Sequence, residues 1–297
     1  TYDQSGKGNK LSDMEKIKDL CVGFSDDGNG VVSSKTMYEA MKIASKLDMP
    51  IISHSEDKDL VCGGVVTTGE YGKLHYLPMI DPLSEALEAE RNCLLAYKTG
   101  CRLHICHVSS LDTVRIVNYY KNLGANITIE VTPHQLTLCD MDIKNSNYKM
   151  NPPLSTPDVR DALVEALRNG KIDCISTDHA PHTKEEKEAD LLHAPFGIIG
   201  LETAFPVLYT DLVKKGHLEL KELLILLNKK PAQIMKLKEN KLEVGADANI
   251  VVVNLENEYE ITSDFFKSKA TNSPYIGKKV YGRIEKTYYK GEAVYER

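Results

Sequence analysis

The chain has 297 residues, of which 42% are hydrophobic and 27% are charged, and its formal net charge is −6. This composition is typical of a globular protein and excludes a disordered or collagen-like chain. The charge leaves no basic footprint for nucleic acid, and no apolar run approaches the roughly 18 residues that a membrane helix needs. We therefore expect neither a nucleic-acid partner nor a membrane partner.

Short apolar runs alternate with helical patterns along most of the chain. Strands are predicted at 21–27, 50–56, 102–110, 126–136 and 172–182. Helices are predicted from Ser34 onward and over 82–99, 112–123, 156–168, 200–215, 219–229 and 231–237, with a charged loop at 183–193. Strands that alternate with helices indicate βαβ units and a parallel sheet. Periodicity alone leaves an open doubly wound sheet and a closed barrel as alternatives.

The pattern changes after Lys241, where short predicted strands are joined by turns that contain glycine. We therefore divide the chain into an α/β region (1–240) and a small β subdomain (241–297). The seven cysteines form no CxxC pair, and several lie in apolar runs. They predict reduced thiols and a cytoplasmic protein.

Acidic and histidine side chains end the predicted strands. They are Asp26 and Asp27, His54, His107, His134, and Asp178 with His179 and His182. Ligands of parallel α/β folds lie beyond the carboxyl ends of the strands, so these residues should share one face. A single histidine at a strand end is more often structural, but imidazole nitrogens and carboxylates on successive strands suit zinc. His104 and His134 fit buried structural positions better than ligand positions.

Asp178 is the candidate catalytic residue. A bound metal lowers the pKa of water from 15.7 towards about 7, and a carboxylate beside the resulting hydroxide can move its proton to a leaving group. The constellation therefore predicts metal-assisted hydrolysis of an amide-like bond, with Asp178 as general base and acid. The alternative for Asp178 is a helix N-cap.

Eight segments, in their order along the chain, are similar to those of dihydroorotases. They are FSDDG (24–28), ISHSED (52–57), HICHVSS (104–110), EVTPHQLTL (130–138), KMNPPL (149–154), STDHAPHTKEEK (176–187), APFGIIGLETAFP (194–206) and LEVGADANIVVV (242–253). From about Asp19 to its end, the chain resembles the bacterial type I dihydroorotases of the amidohydrolase superfamily. Hydantoinases and allantoinases share the superfamily pattern but usually carry a carboxylated lysine where Asp27 stands.

The resemblance implies a (β/α)₈ TIM barrel with a small β subdomain. It also implies a zinc enzyme, with one or two ions, that converts dihydroorotate and water reversibly into N-carbamoyl-L-aspartate in pyrimidine biosynthesis. The metal ligands it implies are Asp27 as a bridging carboxylate, His54 and His107 on the second zinc, and Asp178 on the first. The substrate contacts it implies are Asn151, His182, Phe196 and Gly197.

One part of the family pattern has no counterpart here. Dihydroorotases carry an HxHxR segment on the first strand, and no H-x-H precedes Asp27. With Thr1 in place of Met, this predicts an incomplete barrel of about strands four to eight, from a longer enzyme. Ser155 also stands where the family usually has arginine. We expect the 297 residues alone to bind metal weakly and to catalyse poorly.

Two other functions are compatible with this pattern. The first is a non-catalytic scaffold that resembles dihydroorotase and binds aspartate carbamoyltransferase. The second is a hydantoinase-like or allantoinase-like hydrolase of another cyclic amide. A homodimer is also compatible with the sequence.

Overall fold

A computed structural model describes residues 11–28 and 30–297. The first ten residues of the predicted 1–240 region, and Asn29, lie outside the described residues. The strands are β1 (Phe24–Ser25), β2 (Ile51–Ser53), β3 (Val66–Thr67), β4 (Met79–Ile80), β5 (Leu103–Ile105), β6 (Ile127–Val131), β7 (Cys174–Ile175), β8 (Ile250–Asn254), β9 (Tyr259–Glu260), β10 (Lys279–Val280), β11 (Arg283–Tyr289) and β12 (Glu292–Glu296).

The helices alternate with these strands through the first two thirds of the chain. They are α1 (Met14–Ile17), α2 (Ser34–Lys46), α3 (Lys58–Val61), α4 (Glu70–Leu74), α5 (Leu83–Thr99), α6 (Leu111–Asn122), α7 (Pro133–Thr137), α8 (Pro157–Arg168), α9 (Lys184–Lys187), α10 (Ala204–Leu208), α11 (Leu220–Leu224) and α12 (Lys230–Ile234). Helices α10 and α11 continue as π-helical turns over Tyr209–Val213 and Ile225–Lys229.

A five-stranded parallel sheet in the order β1-β2-β5-β6-β7 forms the centre of the molecule. In its register Phe24 pairs with Ile51, Ile51 with Leu103, and Leu103 with Ile127. The parallel sheet is confirmed, and its strands are shorter than the apolar runs because each run continues into a loop. All five carboxyl ends therefore meet at one edge, where the predicted site residues lie.

Helices cover the sheet with apolar faces at helical spacing. In α2, the buried residues Met37, Ala40, Met41 and Ala44 recur every three or four positions, which is the pattern of a core-facing stripe. The helix begins at Ser34, as predicted, and its N-cap is Ser33, whose hydroxyl accepts the Thr36 N–H at 3.3 Å. These positions belong to the largest apolar cluster, together with β2, β5 and β6.

The C-terminal region is β structure, as expected. Strands β8, β11 and β12 form an antiparallel sheet, and β9 pairs antiparallel with β10. Tyr259, Ile261 and Val280 share a second apolar cluster with Met150 and Ile198. Residues after 241 therefore pack against the loops that carry the predicted substrate contacts.

The predicted charged loop at 183–193 contains a helical turn, so the loop prediction is wrong over α9. The Thr183 hydroxyl accepts the Glu186 N–H at 3.2 Å, and the Glu186 carboxylate accepts the Thr183 N–H at 2.9 Å. This reciprocal pair is a capping box, which stabilises the start of a helix. Across the described ranges, no helix combines the length and apolar character needed to span a bilayer.

Candidate metal centre and surrounding site

Asp27, His54 and His107 converge just beyond the ends of β1, β2 and β5. Nδ1 of His54 lies 3.0 Å from Nε2 of His107. The Oδ1 atom of Asp27 lies 4.0 Å from each of these two nitrogens. The three residues thus aim one ligand atom each at a common point, and parallel strands of matched register bring them there.

These donors fit a metal ion by geometry and by chemistry. Two ligands about 2.1 Å from one tetrahedral zinc ion are separated by about 3.4 Å, and the observed separations of 3.0 and 4.0 Å lie on either side of that value. Both rings are buried, and among the described residues His54 Nε2 and His107 Nδ1 have no hydrogen-bond partner. The nitrogens that face each other, and Asp27 Oδ1, are His54 Nδ1 and His107 Nε2, and these are the ring atoms placed to hold a cation. Those two unpartnered atoms are the other nitrogens of the two rings.

The electrostatics of the two rings also favour a cation between them. Burial, reinforced by the neighbouring His54, lowers the pKa of His107 to about 4, so His107 is neutral at pH 7, as a metal ligand must be. Burial opposes the charging of His54, but Glu56 and Asp27 outweigh it and raise its pKa. The surrounding carboxylates therefore favour positive charge at this point.

Asp178 follows β7 and lies on the same edge of the sheet. Burial, together with the negative charge of Asp27, raises its pKa to about 6. A carboxyl group that titrates close to neutrality can both accept and return a proton. Asp178 and His107 also adopt left-handed backbone conformations, with φ of 48° and 35°. Such strain in residues other than glycine is concentrated at functional sites.

The predicted substrate contacts lie on two loops beside this centre. Asn151 donates from Nδ2 to Glu56 Oε1 at 2.7 Å. His182 Nε2 lies 2.8 Å from the carbonyl oxygen of Phe196. Gly197 has φ of 133°, and a Cβ atom there would lie 2.8 Å from His182 Nε2. Glycine is therefore required if the Phe196–Gly197 backbone is to approach His182 closely.

A cavity of about 280 Å³ adjoins the metal centre. His54, Glu56 and Asn151 line one side of it. Ser109 and Ser155 contribute to its other walls, and Ser155 Oγ has no hydrogen-bond partner among the described residues. The cavity is thus polar where it meets the candidate ligands.

Four carboxylates support the site, and of these only Asp26 was singled out from the sequence. Asp26 Oδ1 accepts the His54 N–H at 2.8 Å, and Glu130 accepts the Ser176 hydroxyl at 2.8 Å. Glu85 is buried and accepts the N–H groups of Ser109 and Ser110, just after His107. Glu56 contacts His54 and Asn151. The one feature of the sequence that could have indicated a supporting carboxylate is an acidic residue inside an apolar strand, such as Glu130.

The other strand-end histidines differ in their surroundings: His104 and His179 have hydrogen-bond partners, and His134 is buried. His104 contacts Thr128 at 2.8 Å and Glu130 at 3.0 Å, and Cys174 lies beside this pair. Burial lowers the pKa of His134 to about 3, so that ring is neutral. Nδ1 of His179 accepts the Gly200 N–H at 3.1 Å. The structure does not bring His104, His134 or His179 into the Asp27–His54–His107 group.

Comparison with known proteins identifies the class. The amidohydrolase family model matches residues 7–294, and the chain therefore belongs to the amidohydrolase family. Two solved hydantoinases share its fold. The L-hydantoinase of Arthrobacter aurescens aligns with a TM-score of 0.82 at 26% identity, over 95% of this chain and 67% of that one. A D-hydantoinase aligns with a TM-score of 0.83 at 24% identity, over 96% of this chain and 66% of that one.

Sequence relatives narrow the class further. The chain is 46% identical to the dihydroorotase of Staphylococcus epidermidis over 292 residues, which cover 97% of this chain and 69% of the relative. It is 47% identical to the dihydroorotase of Bacillus caldolyticus, over 98% of this chain and 69% of that relative. Within the amidohydrolases, the chain belongs to the dihydroorotase family, as its motifs predicted.

Proposed function

We propose that the protein is a zinc-dependent dihydroorotase, which interconverts dihydroorotate plus water and N-carbamoyl-L-aspartate in pyrimidine biosynthesis. The observation that carries this proposal is the convergence of Asp27, His54 and His107 at the end of the parallel sheet. Family membership supports the substrate, and the buried imidazole nitrogens of His54 and His107 beside the exposed Asp27 carboxylate support the metal. We further propose a cytoplasmic location, because all seven cysteines are free thiols.

Asp27, His54 and His107 would hold the zinc, with Asp178 completing a site for one or two ions. Zinc in such a site supplies Lewis acidity and lowers the pKa of water. The chain provides the correct protonation states for this role, because burial keeps His107 neutral. It also provides orientation, because the Asp26 carboxylate fixes the backbone of His54 through its N–H at 2.8 Å.

Asp178 is the proposed general base and acid. Its raised pKa of about 6 lets the carboxylate remove a proton from the attacking water and return it to the departing ring nitrogen. Its left-handed backbone and partial burial hold the side chain at the sheet edge rather than in solvent.

Asn151, His182 and the Phe196–Gly197 backbone are the proposed substrate contacts. Protonated His182 would pair with the substrate carboxylate, and the Asn151 amide would hydrogen-bond the ring. We also propose that the hydrolase region ends near residue 240 and that the β subdomain follows it, although Tyr259 and Val280 share a core with that region.

Incubation of the whole gene product with zinc and dihydroorotate tests the proposal. Formation of carbamoyl-aspartate supports it, and absence of product with zinc bound contradicts it. The same assay on the 297-residue chain tests the expected poor activity. A hydrolase of another cyclic amide is the second candidate, because solved hydantoinases share the fold. Activity assays with hydantoin, allantoin and dihydrouracil distinguish such an enzyme from a dihydroorotase. Light scattering, with and without aspartate carbamoyltransferase, tests the homodimer and the complex that are compatible with the sequence.

A further inference from the structure

Lys187, at the end of α9, is buried even though it belongs to a run of charged residues. Its exposed fraction is 7%, and its ammonium group donates to three backbone carbonyl oxygens. These are the carbonyls of Lys149 at 3.2 Å, Pro195 at 2.9 Å and Gly197 at 3.1 Å. An ammonium group has three N–H donors, so this one is fully used.

The three acceptors belong to the segments that carry the proposed substrate contacts. Lys149 lies two residues before Asn151, and Pro195 and Gly197 flank Phe196. Lys187 itself belongs to the short helix that begins directly after His182 and Thr183. One side chain therefore joins all three segments, of which the one at Lys149 is 38 positions away from Lys187 along the chain.

Neighbouring contacts tighten the same assembly. The Gly197 N–H donates to the Lys149 carbonyl at 3.0 Å. This carbonyl oxygen therefore accepts hydrogen bonds from both the Gly197 backbone and the Lys187 side chain. The ammonium group of Lys149 lies 4.5 Å from the centre of the Phe196 ring and donates to the Leu192 carbonyl at 3.2 Å. Within the described ranges, neither lysine lies within 4 Å of a carboxylate. Their charges are therefore met by carbonyl dipoles of these loops.

We propose that Lys187 is a positioning residue that holds the loops of Asn151, His182 and Phe196–Gly197 in the arrangement that binds substrate. This inference rests on the proposed function of those loops. Charged hydrogen bonds to buried carbonyls are strong, and an unmet buried carbonyl is costly. Loss of the ammonium group would release the loops without touching Asp27, His54, His107 or Asp178.

The test compares two variants. Lys187→Met keeps a long side chain but has no hydrogen-bond donor, and Lys187→Gln has an amide that can donate two hydrogen bonds. We expect KM for dihydroorotate to rise about tenfold to a hundredfold in the Met variant and by less in the Gln variant. The value of kcat should change by less than about fivefold, because the lost contacts serve ground-state binding. The zinc affinity should not change. Lys184→Met is the matched control, because Lys184 is exposed on the same helix.

A second measurement does not depend on turnover. Hydrogen exchange of the 297-residue chain should accelerate at the Gly197 amide in Lys187→Met, and should be unchanged in the middle of α2. If Lys187→Met keeps the wild-type KM and the wild-type exchange at Gly197, the inference is wrong. The inference would also be overturned if KM rose while kcat and zinc affinity fell by the same factor, because such a result would show a general structural role. Absence of turnover in the wild-type whole gene product with zinc bound would contradict the proposed function, and the exchange measurement would still decide the role of Lys187.

Discussion

Replacing Glu56 by glutamine tests how the chain orients its candidate metal ligands. The two carboxylate oxygens of Glu56 face different partners: Oε1 accepts from Asn151 at 2.7 Å, and Oε2 lies 3.7 Å from His54 Nε2. If His54 holds a metal through Nδ1, its Nε2 atom carries a hydrogen. Both partners are then donors, and a carboxylate can accept from both.

Glutamine has only one acceptor oxygen. The shorter contact keeps that oxygen with Asn151, so the amide NH₂ group faces the N–H of His54. Loss of the partner that orients a metal-bound histidine lowers metal affinity by roughly 10-fold to 100-fold. This corresponds to about 1.4 to 2.8 kcal/mol of binding free energy. KM should change less, because the bond to Asn151 survives.

Competition for zinc with a chromophoric chelator measures this effect. Glu186→Gln is the matched control, since Glu186 lies 3.6 Å from Nδ1 of His182 in an exposed position away from the proposed ligands. We expect its zinc affinity to equal that of the wild type. A Glu56→Gln protein that binds zinc within twofold of the wild type would refute the role of Glu56.

Three further predictions concern catalysis, loop geometry and pH. Asp178→Asn should lower kcat by about 10²-fold to 10⁴-fold in protein that retains the zinc held by Asp27, His54 and His107; unchanged kcat in a steady-state assay would exclude Asp178 as the base. Gly197→Ala should raise KM, because a Cβ atom at φ of 133° would collide with His182; a wild-type KM would contradict this geometry. Burial raises the pKa of Glu88 from 4.5 to about 7, so the stability that this group confers below pH 4.5 is lost as pH rises through 7. In urea unfolding, the free energy of unfolding of Glu88→Gln should rise relative to that of the wild type by up to about 3 kcal/mol between pH 4.5 and 8. A difference that does not vary with pH would contradict the raised pKa of Glu88.

The alternation of apolar runs and helical patterns was sufficient to predict the parallel sheet. Each predicted strand contains an observed strand, because a strand buried on both faces must be a continuous apolar run. The same register explains why Asp27, His54 and His107 could be expected to meet. Their position at the strand ends is a local property of the sequence.

The supporting residues depend on contacts between distant parts of the chain, which periodicity does not reveal. Glu56 and Asn151 are 95 positions apart, and nothing near Glu56 in the sequence distinguishes it from an exposed acid. Lys187 lies in a charged run that predicted a loop. Its burial follows from three carbonyls that only the folded chain brings together.

Zinc binding by the His54→Ala, His107→Ala double variant tests the central claim most directly. Equilibrium dialysis with metal analysis should show that the wild-type whole gene product retains zinc and that its double variant loses the ion bound at this point. Circular dichroism would confirm that the variant is folded. A folded double variant that retains as much zinc as the wild type, with the same affinity, would show that these two histidines do not form the metal centre.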